Sequence, residues 1–141
     1  MDDFLKERIL WKAYMGSGQG GGYSRPHSNI AENIKNLSRK YPLDINGRFG
    51  HKGIGHSQVI YTEKPLETAR EFFYKLGLGA KTKSLRNGAV LIRAFPDGSH
   101  VVFRAKSKHG SPAVEIAPDQ NADNRYKIHH LQTNIEREEA E

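Results

Sequence analysis

No cysteine occurs in the chain, which excludes disulfides, thiolate metal sites and a cysteine nucleophile together. Its stability is therefore expected to be the same in reducing and oxidising compartments. No apolar run approaches the roughly 18–20 residues that cross a bilayer as a helix, so no membrane span is expected. The opening Met1-Asp2-Asp3 is acidic, unlike the basic start of a secretory signal, so export would rest on something outside this sequence. There is no Walker A pattern, and GSGQGGG follows a helical stretch rather than a strand, which favours a linker over a phosphate cradle. The HExxH pattern and the serine nucleophile elbow are missing as well.

What is present is a basic chain of 141 residues, enough for one domain with a core of its own. Its net charge of +6 is unevenly placed. Between Arg48 and Lys108 twelve Lys or Arg stand against four acids, while the C-terminal end is acidic through Glu136, Glu138, Glu139 and Glu141. A basic middle favours polyanions through counterion release. Such a charge run is also what a solvated lysine-rich face looks like, so charge alone decides nothing.

Three segments carry helical spacing. Residues 3–15 place Phe4, Trp11 and Met15 on one side, and a Gly/Ser-rich linker follows up to Ser24. Ile30, Ile34, Leu37 and Tyr41 form the next stripe, with Asn29 and Glu32 as a capping box and Pro42 as the stop. Pro65–Leu76 forms the third, opened by proline and closed by Gly77 and Gly79. Residues 44–58, rich in Gly and His, read as a loop.

After Gly79 the period becomes two. Residues 89–95 and 100–106 flank a hairpin turn at Pro96-Asp97-Gly98-Ser99, and shorter strands follow at 113–116 and 126–131. The order predicts an α+β fold, N-terminal helices packed on a four- to five-stranded antiparallel sheet. Residues 1–28 read as a helix and linker, 29–135 as the domain, and 136–141 as an acidic tail. A two-residue turn at Asp97-Gly98 would set Phe95 opposite His100, Leu91 opposite Arg104 and Arg93 opposite Val102. Val90, Ile92, Val101 and Phe103 would then meet the helices. Arg93, His100, Arg104 and Lys106 would line a cationic face suited to a single-stranded phosphate backbone.

Seven histidines are a generous supply of groups that titrate near neutrality. RNA cleavage without a metal needs a base for the 2′-OH, an acid for the leaving 5′-oxygen and cations on the phosphate. Histidine, arginine, lysine and hydroxyl groups supply all three. His51-x4-His56 is not a familiar metal spacing, and His129-His130 on a strand point to opposite faces, so neither pair reads as a chelate. No metal or cofactor is expected. His27, beside the linker, reads as a bystander.

The segments VIYTEKPLETAREFFYKLGLGAKTKSLRNGAVL, DGSHVVFRAKSKHGSPAVEI and KIHHL resemble a C-terminal toxin domain of bacterial polymorphic toxins, including the LXG-type and contact-dependent inhibition systems. The resemblance covers residues 58–131 and implies a nuclease, foremost a ribonuclease, of barnase, EndoU, colicin or RelE-like type. It singles out Arg104, Ser107, Ser111, Glu115 and His129. Arg104 would contact the scissile phosphate, Ser107 the phosphate or ribose, and His129 would be general base or acid, with Glu115 orienting a cation. His109 stands where the family pattern favours an acid.

The expected activity is thus a metal-independent endoribonuclease leaving 2′,3′-cyclic phosphate ends. His129 would work with His56 or His109, and Lys52, Arg93, Lys106, Lys108, Ser111 and Lys127 would hold the substrate. The substrate would be tRNA, rRNA or mRNA. A DNase and a noncatalytic RNA-binding module are the alternatives. The resemblance further implies a secreted or delivered toxin, monomeric when free, acting in the target-cell cytoplasm and neutralised in the producer by an acidic immunity protein.

Overall fold

Asn29 is extended (φ −148, ψ 159) and its side chain accepts the Glu32 N–H at 2.8 Å, so α1, Ile30–Leu37, starts at the capping box. The computed structural model describes residues 29–133. The helical stretch 3–15, the linker, His27 and the acidic tail lie outside the described residues.

Helix α2, Pro65–Leu76, has proline in its first turn and stops at Gly77, whose N–H reaches the Phe73 carbonyl at 3.0 Å. It buries Ala69, Phe72, Phe73 and Leu76 completely. Truncating one of those phenylalanines to alanine costs about 3–5 kcal/mol in a core of this kind. Polar groups bolt the two helices together at both ends. The buried Asn33 amide donates to the carbonyls of Leu76 (2.8 Å) and Leu78 (3.0 Å), which the end of α2 leaves unsatisfied. At the other end Tyr41, Lys40 and Lys75 all donate to Glu71. Desolvation opposes the charge on Glu71, but those three bonds outweigh it and hold its pKa at about 2.

The expected architecture is overturned at this point. In place of N-terminal helices on a four- to five-stranded antiparallel sheet, the described residues form one mixed sheet of seven strands with two short α-helices. The strands are β1 (His51–Lys52), β2 (Ser57–Thr62), β3 (Thr82–Leu85), β4 (Val90–Ala94), β5 (His100–Arg104), β6 (Ala113–Ala117) and β7 (Tyr126–Gln132). Their spatial order is β1-β2-β7-β6-β5-β4-β3. β2 runs parallel to β7 and every other neighbour is antiparallel. Helix α2 is the crossover from β2 to the far edge at β3, from which a meander returns to β7. The strands missed in the sequence are β1, β2 and β3. β1 and the first residues of β2 lie next to a Gly/His-rich stretch, and β3 is TKSL.

The hairpin register also differs from expectation by one residue. Phe95 N–H meets the Ser99 carbonyl at 2.9 Å and Gly98 N–H the Phe95 carbonyl at 2.9 Å, so three residues, Pro96-Asp97-Gly98, form the loop. Gly98 takes φ +95, the left-handed position that a bulge after such a turn requires. Ala94 therefore faces His100, and Val90 faces Arg104. A one-residue slip sends every β4 side chain to the other face. Leu91 joins Val101 and Phe103 against the helices, and Val90 and Ile92 join Val102 on the opposite face, where with Leu85 they form a small apolar cluster.

Arg93 moves with its strand. It was expected on the cationic face, yet it lies on the helix side at the C-terminal end of α2. Its guanidinium donates to Thr82 Oγ1 (2.7 Å) and the Tyr74 carbonyl (3.1 Å), and it stacks over the Phe73 and Tyr74 rings. That is a helix-end role, favoured by the dipole, and not a ligand-binding one.

Candidate functional site

Among the described residues α2 packs on one face of the sheet with α1 against it, and Arg104, Glu115, Lys127 and His129 lie on the other. Register defines their positions. Arg104 pairs with Ala113, Ala113 with His129, His129 with Val59, and Val59 with His51. Five strands thus contribute one transverse row in which Arg104 and His129 flank a single methyl group. At 4.7–4.9 Å per strand their Cα atoms are about 10 Å apart. A parallel row carries Val102, Glu115, Lys127 and Ser57.

The turn joining β5 to β6 completes the cluster. Ser107 N–H donates to the Ser111 carbonyl and Gly110 N–H to the Ser107 carbonyl, both at 2.8 Å, with Gly110 at φ +92. This repeats the geometry of the β4–β5 hairpin and hangs Lys108 and His109 at the tip. The His109 ring stands 5.9 Å from that of His129 at 67°, an edge-on contact. Ser111 Oγ lies 3.3 Å from His129 Nδ1, and Ser107 Oγ 3.4 Å from Ser111 Oγ. The hydroxyl chain fixes the imidazole by one nitrogen, and among the described residues Nε2 makes no hydrogen bond.

Electrostatics suit the ring to accept a proton. Burial, then the charge of Lys127, then His109, hold the His129 imidazole below the ordinary histidine range. It is neutral at pH 7. Its neighbour His130 points into the core, fully buried, edge-on to Phe72 at 5.3 Å. Neither of its ring nitrogens has a hydrogen-bond partner. The carbonyls of Pro112 and Ile128 lie close enough to favour its proton slightly, but burial dominates and brings its pKa to about 4. The two histidines do face opposite ways, as alternation requires.

Several expected site residues are not brought together. His56 sits in the turn before β2, its carbonyl accepting the Lys127 N–H at 3.1 Å. It is three residues along the strand from Val59, about 10 Å from the His129 row. It is no partner for His129. Lys52 folds its ammonium onto the Gly55 carbonyl (2.5 Å) and the Gly53 carbonyl (3.4 Å) of its own turn. Ser107 is buried, so it steadies Ser111 instead of meeting phosphate or ribose. Lys106 and Lys108 are exposed beside the cluster, and Lys127 is half-buried two residues from His129. Glu115 lies 3.9 Å from the Arg125 guanidinium.

Two residues to which the sequence reading gave no substrate role share this face. Alternation along β2 buries Gln58 and Ile60 on the helix side and leaves Tyr61 exposed on the other. His51 pairs with Val59 and so lies diagonal to Tyr61, ring centroids 6.3 Å apart. The period-two pattern of Ser57–Thr62 was the available signal.

Two concavities of about 320 Å³ lie elsewhere, one around Arg48, Asn124 and Tyr126, the other around Tyr41, Glu63 and Glu67. Neither includes any member of the Arg104–His129 row. Arg104 and His129 are half-buried and His51 is exposed, so an extended polyanion can touch the row without an enclosed pocket, and the row is the better candidate. Among the described residues no three His, Asp or Glu side chains gather as a metal-binding group, and no helix is long and apolar enough to cross a membrane. Comparison with protein-family models, curated proteins and solved structures finds no match to this chain.

Proposed function

We propose that the chain is a metal-independent endoribonuclease, cutting RNA by attack of the 2′-oxygen on the adjacent phosphorus. The observation that carries this reading is the Arg104–Ala113–His129 row with His109 against its end. The neutral His129 takes the 2′-OH proton, and the new O2′–P bond forms as the P–O5′ bond breaks. His109, in its protonated form, gives its proton to the leaving O5′. The products are a 2′,3′-cyclic phosphate and a 5′-hydroxyl, with each histidine left in the other's starting state. Arg104 faces the phosphate, where a planar guanidinium matches two equatorial oxygens. Ser111 keeps the His129 ring in one orientation, and Lys106, Lys108 and Lys127 add charge along the strand's path.

The resemblance to polymorphic-toxin domains supports a role as a toxin module, delivered by a larger protein and acting in the cytoplasm of a target cell. A cationic face of this kind suits an acidic immunity protein in the producing cell.

The test is a 5′-labelled single-stranded RNA incubated with the chain in EDTA. Cleavage to 2′,3′-cyclic phosphate ends is expected, and a single 2′-deoxy substitution at the cut site should abolish it. Equal cutting of DNA, or loss of all activity in EDTA, would overturn the proposal.

A further inference from the structure

We infer that Tyr61 and His51 form a stacking shelf for a nucleobase of the single-stranded RNA, next to the nucleotide whose phosphate lies at Arg104 and His129. The inference rests on the cleavage reading only for the position of that phosphate.

The geometry has four parts. Tyr61 is 53% exposed although it lies mid-sheet in sequence pattern, and its hydroxyl makes no hydrogen bond among the described residues. Its partner across β7 is Leu131, half-buried, and its neighbour on the same face is Val59, so the floor beside the ring is apolar. The His51 ring is tilted 42° to it at 6.3 Å, which sets two aromatic rings side by side near the sheet's edge. Finally, His51 belongs to the same row as His129 with only Val59 between them, about 10 Å away across two strand spacings.

The short edge strand is built to deliver that ring. Gly50, at φ +86, brings the chain so close to β2 that a Cβ would meet the Val59 carbonyl oxygen at 2.7 Å. The buried Gln58 amide then ties the carbonyls of Phe49 and Gly50, both at 3.1 Å. Two residues of strand follow, and one of them is His51. A solvent-exposed tyrosine adds nothing to the core. Every base has a π-face, however, so an aromatic shelf holds single strands with little sequence preference.

The probe is a 2′-O-methyl hexanucleotide, which cannot be cleaved, beside an abasic strand of the same length and charge. Binding is read by anisotropy at two salt concentrations. Tyr61→Ala should weaken the hexanucleotide about 10-fold or more, with Tyr61→Phe close to wild type and the abasic strand unaffected by either change. His51→Ala should give a smaller loss of the same kind. The salt slope should stay unchanged in Tyr61→Ala, whereas Arg104→Ala should lower it by about one unit. Unaltered hexanucleotide binding by Tyr61→Ala, or an equal loss on the abasic strand, would overturn the shelf. If wild type fails to cut RNA yet Tyr61→Ala shows the base-dependent loss, the shelf stands and the cleavage reading falls.

Discussion

Arg104 and His129 stand two strands apart on one face of the sheet, with only the methyl group of Ala113 between their backbones. They are far apart in sequence, and antiparallel pairing through β6 sets them side by side. The Ala113 methyl between them is 1% exposed, so the side chains around the row close over it.

Added bulk at Ala113 should therefore push the Arg104 and His129 side chains out of place. Ala113→Leu adds bulk at a position that is 1% exposed, at an overpacking cost of about 1–3 kcal/mol. The variant is expected to stay folded by circular dichroism and to lose RNA cleavage by about 10²-fold or more. Ala113→Ser, nearly the same size, should keep most activity.

Lys127 should set the lower limb of the pH profile. Its charge helps to hold the His129 pKa down, after burial and ahead of His109. A base acts in its neutral form, so kcat/KM should rise with pH through that depressed value. Lys127→Met removes the repulsion, the imidazole holds its proton to higher pH, and the rising limb should move up. A limb that stays in place would remove His129 from the role of base.

His130 makes the fold acid-labile. Its folded pKa of about 4 lies below the ordinary 6.5, so the unfolded chain takes the proton first. The contribution of the neutral ring is complete above pH 6.5 and is lost as pH falls from there to about 4, about 3 kcal/mol in all. Urea titrations should show a steep loss of stability over that window. In His130→Leu the loss should be much smaller, with stability at pH 7.5 equal or higher, because two unpartnered ring nitrogens leave the core.

Arg93 tests the corrected register. Arg93→Met keeps the aliphatic stem but gives up the Tyr74 carbonyl and the two rings, and should cost about 1–2 kcal/mol of stability. Binding of a non-cleavable RNA and its salt slope should not change. Had Arg93 lain on the cationic face, the slope would fall by about one unit.

The parts of the fold legible in the sequence were those with strong local signals. Asn29 with Glu32 marked the start of α1, and Pro65 with Gly77 bounded α2, because caps and breakers act within one turn of chain. The meander from β4 to β7 showed in its alternation. The parallel pairing of β2 with β7 joins segments about seventy residues apart through a crossover, and no local pattern encodes it. The register slip at Gly98 shows how little information separates two outcomes: a two-residue and a three-residue loop use the same Asp-Gly, yet they put Arg93 on opposite faces.

The candidate site divides the same way. Arg104 and His129 could be picked by residue type and resemblance, and alternation alone kept His130 away from His129. That His109 and not His56 approaches His129 depends on the turn at Gly110, and that Ser107 is buried depends on the same turn. Tyr61 was not singled out because its strand has a weak pattern, and His51, weighed only as a metal ligand, lies on a strand of two residues.

The most direct measurement is a double-mutant cycle on single-turnover RNA cleavage with Arg104→Ala, His129→Ala and the pair. Each single change is expected to lower the rate by about 10²-fold or more, and the pair to do little worse than the more damaging single, since both groups serve one transition state. Losses that multiply, or a double variant that still cuts at the wild-type rate, would contradict the meeting of these two side chains over a single phosphodiester.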